Sequence, residues 1–146
     1  MIAEYLEHVA TRYKTGISRE HSYRGDLQHL LQPLSPDILV TNEPARIACG
    51  APDYIITNND IPVGYIEAKD IGVSLDKTAK SEQLQRYLGS LDNLILTDYL
   101  DFRYYKQGQF VTSVTLAEIR QGKVTPLSES FETFTQLTQD FCLHVG

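Results

Sequence analysis

Gly50-Ala51-Pro52-Asp53-Tyr54-Ile55-Ile56-Thr57, the turn Asn58-Asn59-Asp60-Ile61-Pro62, and Val63-Gly64-Tyr65-Ile66-Glu67-Ala68-Lys69-Asp70 decide how the chain is read. Both flanks are β-prone, and the Asn/Asp/Pro cluster between them is a turn signal. Taking residues 58–62 as a five-residue loop pairs 57 with 63, 55 with 65 and 53 with 67. Asp53 and Glu67 then face each other across the hairpin, with Cβ atoms roughly 4.5–5.5 Å apart. Lys69, two residues beyond Glu67, projects from the same face, while Ile66 and Ala68 project from the other.

Like charges directly opposite one another destabilise a hairpin. Two accounts fit the pair. In one, this is a surface hairpin with an ordinary Glu–Lys pair and a turn-associated Asp. In the other, a divalent cation removes the repulsion; oxygen-only ligands favour Mg²⁺ or Mn²⁺ over zinc. A lysine beside such a cation can orient water or stabilise charge on a phosphate, which implies metal-assisted phosphodiester hydrolysis.

Working outward, Ile2, Leu6, Val9 and Tyr13 recur at helical spacing, so residues 2–14 read as an amphipathic helix broken by Gly16. A second helix is capped by Ser18 or Ser22 and ends at Gln32 before Pro33, with Tyr23, Leu27, Leu30 and Leu31 on its apolar stripe. Glu20 falls on that stripe. It is read either as an acid favouring a helix N-terminus, paired with Arg24 one turn on, or as an acid turned toward the carboxylate site.

Strands are expected at 46–49, 53–57 and 63–69, and a helix at 77–90. Asn93–Thr97 is nearly all apolar, as suits a strand covered on both faces. Further strands are expected at 102–106 and 109–117 around Gln107-Gly108. A last helix starts at Ser128 or Ser130 and carries Phe131, Phe134, Leu137 and Phe141 on one side. The fold class is α/β, with a mixed α+β sheet. On the third helix Gln83 and Tyr87 are one turn apart, and pattern alone makes Tyr87 a core residue.

At 146 residues the chain is one domain's worth. Its 42% hydrophobic content excludes disorder and low-complexity fibres. No apolar run reaches the ~20 residues of a bilayer span, so no membrane partner is expected, and the start is too polar for a signal peptide. Cys49 and Cys142 lie far apart, which suits the cytoplasm and no disulfide framework. His8, His21, His29 and His144 have no zinc-ligand spacing with them. No GxSxG nucleophile motif or phosphate-binding glycine loop occurs. With 13 basic and 19 acidic residues the net charge is −6. A domain holding a duplex unaided is usually basic, so any nucleic-acid role is local, metal-mediated or borrowed from an attached partner.

Pro52-Asp53 and Glu67-Ala68-Lys69 resemble the motif that names the PD-(D/E)XK nuclease superfamily, and Gln83-x-x-x-Tyr87 resembles the extra QxxxY motif of its RecB-like branch. Glu20-His21-Ser22-Tyr23-Arg24, residues 67–72, residues 81–87 and Leu96-Thr97-Asp98-Tyr99 together resemble the N-terminal nuclease domain of bacterial restriction–modification polypeptides of type IIG and type ISP. In these, one chain carries the nuclease ahead of a DNA methyltransferase. The resemblance spans residues 20–106. It implies a restriction-endonuclease-like αβββαβ core with flanking helices, and a Mg²⁺-dependent DNA endonuclease, Mn²⁺ substituting, that leaves 5′-phosphate and 3′-hydroxyl ends. It assigns Asp53, Glu67 and Glu20 as catalytic acids and metal ligands, Lys69 as the residue positioning water, and Gln83 and Tyr87 as residues orienting the site or contacting the DNA backbone.

The expected organisation is a nuclease-like domain at 1–125, followed at 126–146 by a helix that closes this domain or leads to a downstream one. No SAM-binding motif, Walker A motif or recognition domain lies within the sequence, so the expected partners are DNA and an attached or separate methyltransferase/specificity module. Two alternatives stand beside this: a catalytically silent nuclease fold binding DNA or protein, and a related resolvase- or transposase-type nuclease. The charge balance predicts that this chain alone nicks plasmid poorly at about 150 mM salt. Efficient cleavage by the isolated chain under those conditions would refute that expectation.

Overall fold

The computed structural model of the chain describes residues 1–15 and 20–143, and the side chains of all of these except 15 and 20–22. Helix α1 (Ile2–Thr15) and α2 (Glu20–Leu31) come first. Ser22 lies within α2 and does not cap it; the alternative cap Ser18, and Gly16, lie outside the described residues. Strands β1 (Ile38–Asn42), β2 (Tyr54–Asn58) and β3 (Ile61–Ala68) follow, then α3 (Leu75–Ala79) and α4 (Glu82–Ser90). The chain continues through β4 (Asn93–Thr97), β5 (Asp101–Lys106) and β6 (Gln109–Thr115). It closes with the hairpin β7 (Ala117–Arg120)–β8 (Lys123–Pro126) and helix α5 (Phe131–Cys142).

The main sheet has the order β1-β2-β3-β4-β5-β6. Only β3 and β4 run parallel, joined by the α3–α4 crossover; the other neighbours are antiparallel. Counting from α2, this is the αβββαβ order, extended by β5 and β6.

The two faces of the sheet carry separate apolar clusters. On one, Leu6 and Val9 from α1 and Leu27 and Leu30 from α2 meet Val40, Ile56, Ile66 and Ile95; Phe134 and Phe141 of α5 join them. On the other, Leu84, Tyr87 and Leu91 cover Leu94 and Leu96 of β4 and Tyr105 of β5. Each buried Leu, Ile or Phe side chain contributes about 1.5–3 kcal/mol relative to exposure. Strand β4 is buried at every position because it serves both clusters.

Several sequence expectations are corrected. Residues 46–49 are not a strand: they form a tight loop with a single bridge between Ile47 and Gly50, packed on the α4 cluster. The sheet's first strand is β1 instead, where Ile38 and Val40 point to the core. The helix expected at 77–90 is two. Ser81 takes an extended conformation and its Oγ accepts the Leu84 N–H at 3.2 Å, so the side chain that caps α4 also ends α3. Residues 109–117 divide into β6 and β7, and Ser128 lies in a 3₁₀ turn preceding α5. Tyr104 and Tyr105 are buried, as strand-to-core packing predicts.

The turn between β2 and β3 is shorter than expected, yet the register holds where it matters. Asn59 (φ 52°) and Asp60 (φ 66°) form a two-residue turn, the left-handed pair that matches strand twist, so Asn58 pairs with Ile61 and Thr57 with Pro62. A bulge between Ile56 and Thr57 then shifts the pairing by one, giving Ile56–Gly64, Ile55–Tyr65 and Tyr54–Ile66. Those last pairs are the ones the five-residue loop predicted.

Gly64 sits beneath α5. A Cβ there would lie 2.6 Å from the Phe141 ring and 2.9 Å from Asn93 Nδ2, which donates to the Val63 and Phe141 carbonyls. Gly89, inside α4, has open space around it. Gly64→Ala is expected to destabilise the fold by about 1–3 kcal/mol, and Gly89→Ala to stabilise it by up to about 1 kcal/mol. Urea denaturation of both variants checks the pair of signs.

Candidate functional site

The site lies where β2 begins and β3 ends, on the α4 side of the sheet. The β1–β2 ladder is carried past its last strand pair by Glu43 N–H donating to the Asp53 carbonyl at 2.8 Å. The β3–β4 ladder is likewise carried on by Lys69 N–H donating to the Thr97 carbonyl at 2.8 Å. Backbone pairing therefore fixes Asp53 and Lys69 although neither is inside a strand.

Asp53 and Glu67 come together across the hairpin and are cross-bonded. Asp53 N–H donates to Glu67 Oε1 at 3.3 Å, and Ala68 N–H donates to Asp53 Oδ2 at 2.8 Å. The Glu67 side chain is only 5% exposed and that of Asp53 11%. Burial, and then the charge of Asp53, push the Glu67 carboxyl up to about 7; Lys69 works in the opposite direction.

Lys69 joins them. Its Nζ lies 3.3 Å from Glu67 Oε2 and donates to Gln83 Oε1 at 3.4 Å. Gln83 Nε2 in turn donates to the Tyr87 hydroxyl at 3.5 Å. That hydroxyl also lies against the loop just ahead of Pro52-Asp53. Tyr87 is fully buried in the α4 cluster, so it is a core residue whose polar tip reaches the site. Gly50 is what lets the loop lie so close: a Cβ there would stand 3.0 Å from the Tyr87 ring and oxygen, and its φ of 138° favours glycine. Gln83 and Tyr87 thus tie α4 to the lysine and to the loop before Asp53.

Three residues go beyond the sequence-level assignment. Arg24, considered there only as a neighbour of Glu20, reaches from α2 to place Nη2 2.5 Å from Asp53 Oδ1 and Nη1 3.0 Å from Glu43 Oε1. Tyr54, fully buried, donates its hydroxyl to the Arg24 carbonyl at 2.8 Å and so fixes that turn of the helix. A surface-to-core arginine one helix away has no short-range sequence signal; only the assembled sheet reveals it. Glu20 begins α2, and its side chain lies outside the described residues.

Two facing carboxylates are an oxygen donor set, which matches a hard dication better than zinc. Among the described residues no three His, Cys, Asp or Glu side chains converge to hold a metal. The pair could supply two ligands to a cation such as Mg²⁺, which retains several waters. Among the described residues no helix is long and apolar enough to cross a membrane, and the two cysteines are free.

No protein-family profile matches the chain, and no curated protein matches it. Among solved structures it is similar to a chain of a DrdV–DNA complex determined by cryo-electron microscopy, with a TM-score of 0.72 and 19% identity. The likeness covers 100% of this chain and 14% of that one. At this identity it shows the fold, which is restriction-endonuclease-like.

The raised Glu67 pKa has a definite sign. A carboxyl whose folded-state pKa stands above its ordinary 4.5 stabilises folding fully below that value and loses the contribution as pH rises through about 7. In metal-free buffer, the stability of the wild type relative to Glu67→Gln is expected to fall on the order of 3 kcal/mol between about pH 4 and 8. Urea titrations across that range test this; a difference independent of pH overturns it.

Proposed function

We propose that a domain of this fold, carrying Asp53, Glu67 and Lys69 at one end of its central hairpin, is a Mg²⁺-dependent deoxyribonuclease that hydrolyses DNA phosphodiester bonds. The observation that carries the reading is the convergence of the three side chains: two carboxylates facing across β2 and β3 with a lysine ammonium 3.3 Å from one of them.

Asp53 and Glu67 hold the cation, with Glu20 as the further acid that the sequence motif assigns. When bound, Mg²⁺ supplies Lewis acidity and charge neutralisation at the scissile phosphate. Lys69, held by Glu67 and Gln83, orients the attacking water and stabilises charge developing on the phosphate oxygens. The water oxygen bonds to phosphorus as the P–O3′ bond breaks; the water gives up a proton and the departing O3′ takes one from solvent, leaving a 5′-phosphate and a 3′-hydroxyl. Gln83 and Tyr87 keep Lys69 and the loop ahead of Asp53 in register with one another.

The similarity to a chain in a DNA complex supports a DNA substrate. That this chain corresponds to 14% of the other's length, together with its net charge of −6, supports a division of labour. Here the domain cuts, and an attached or associated methyltransferase/specificity module in a restriction–modification system supplies sequence choice and most of the phosphate affinity. Free cysteines fit a cytoplasmic setting.

Nicking of supercoiled plasmid with Mg²⁺ or Mn²⁺ tests the reading. Asp53→Asn, Glu67→Ala and Lys69→Ala are each expected to lower the rate at least 10²-fold, the loss typical of removing a positioned catalytic group. Calorimetric Mn²⁺ binding is expected to disappear in Asp53→Asn and Glu67→Ala and to survive in Lys69→Ala. Neither cutting nor Mn²⁺ binding by the wild type would favour a silent nuclease fold.

A further inference from the structure

Protein groups hold the carboxylate pair in place. Asp53 Oδ2 is bound by the Ala68 amide and Oδ1 by Arg24, so the side chain has little torsional freedom left. Arg24 is itself fixed from two directions. The Tyr54 hydroxyl bonds its carbonyl, and Glu43 Oε1 takes the other end of its guanidinium, whose side chain is 15% exposed. Glu43 is built in with equal care: it adopts φ 56°, unusual for a residue with a side chain, and its N–H bonds the Asp53 carbonyl. The same two residues thus touch both the backbone and the carboxylate of Asp53.

We infer that Arg24 and Glu43 form a charge couple that positions Asp53 before any cation arrives and sets how tightly the site then takes one. The inference rests on the metal-binding reading above. Seen from a dication at Asp53 and Glu67, the Arg24 guanidinium repels and the Glu43 carboxylate attracts; together they are nearly neutral. Removing Arg24 takes a positive charge from beside the cation and removing Glu43 takes a negative one, so the two deletions act with opposite sign. A couple that merely braces the fold would weaken binding in both variants. Arg24 and Glu43 are positioning residues, since each acts through Asp53.

Mn²⁺ titration calorimetry on the 146-residue chain at about pH 8, with urea denaturation in parallel, separates these cases. Asp53→Asn is expected to abolish binding. Arg24→Gln is expected to bind Mn²⁺ about tenfold more tightly despite reduced stability, and Glu43→Gln about tenfold more weakly at nearly unchanged stability. These factors correspond to one unit charge a side-chain length from a dication in well-hydrated surroundings. Weaker or unchanged binding in Arg24→Gln, or unchanged binding in Glu43→Gln, overturns the inference while leaving the metal site standing. If Arg24→Gln does not fold, Glu43→Gln decides alone, because its side chain is 55% exposed. A wild type that binds no Mn²⁺, or binds it equally well as Asp53→Asn, removes the metal reading and the couple together.

Discussion

Asp53 and Glu67 are two like charges held on facing ends of neighbouring strands, and much of the local structure offsets the cost of keeping them there. Backbone amides at the pair are spent on the opposite carboxylate, with Asp53 N–H on Glu67 and Ala68 N–H on Asp53. Two cations are brought in from opposite directions: Arg24 from a helix on one face of the sheet, and Lys69 from the strand end on the other. The remaining repulsion and burial surface in Glu67, whose proton is held until about pH 7. A pair this costly persists in a fold when something else is gained from it, and a site for a dication is what the donor chemistry matches.

The rest of the architecture can be understood as what holds that end of the hairpin still. The parallel partner β4 is buried at every position and takes the Lys69 amide on its last carbonyl. Helix α4 presents an apolar face to the sheet, and its buried Tyr87 lies against the loop before Asp53. Just past that same end of β4, the Asp98 carboxylate accepts the Leu100 and Asp101 amides, and Thr97 Oγ1 accepts that of Tyr99. These bonds hold Tyr99 at φ 76° with its carbonyl on the Tyr5 hydroxyl. The Thr97-Asp98-Tyr99 stretch, part of the resemblance noted in the sequence, is therefore a structural corner joining α1 to the sheet.

Much of this was legible in the residues because the signals were local. Period-two alternation placed Glu67 and Lys69 on one face and Ile66 and Ala68 on the other, and Leu84, Tyr87 and Leu91 read directly as a helix face. The hairpin register came out right although the loop was drawn too long: the two-residue turn and the bulge each moved the pairing by one position, and the two shifts cancelled between Ile56 and Gly64. What stayed hidden was tertiary. The Ile47–Gly50 loop carries strand-like residues, but its apolar side chains are satisfied by α4 without a sheet partner. Serine 81 was invisible as a break because a helix interior and a helix cap differ there only in what the hydroxyl finds. Arg24 and Glu43 are 19 residues apart and meet only once α2 lies against the sheet.

The ladder extension from Lys69 to Thr97 has a consequence for synthesis. The groups around the carboxylates come from α2, the β1–β2 connection, the hairpin, α4 and the end of β4, so most of the contacts that complete the site are distant in sequence. Local pairing of β2 with β3 can bring the two acids together early, but the lysine is not anchored until β4 has been made and threaded beside β3, since parallel strands form only through a crossover. A growing chain therefore carries the charges well before it carries the geometry, and the lysine is anchored only once about two thirds of the chain has been made.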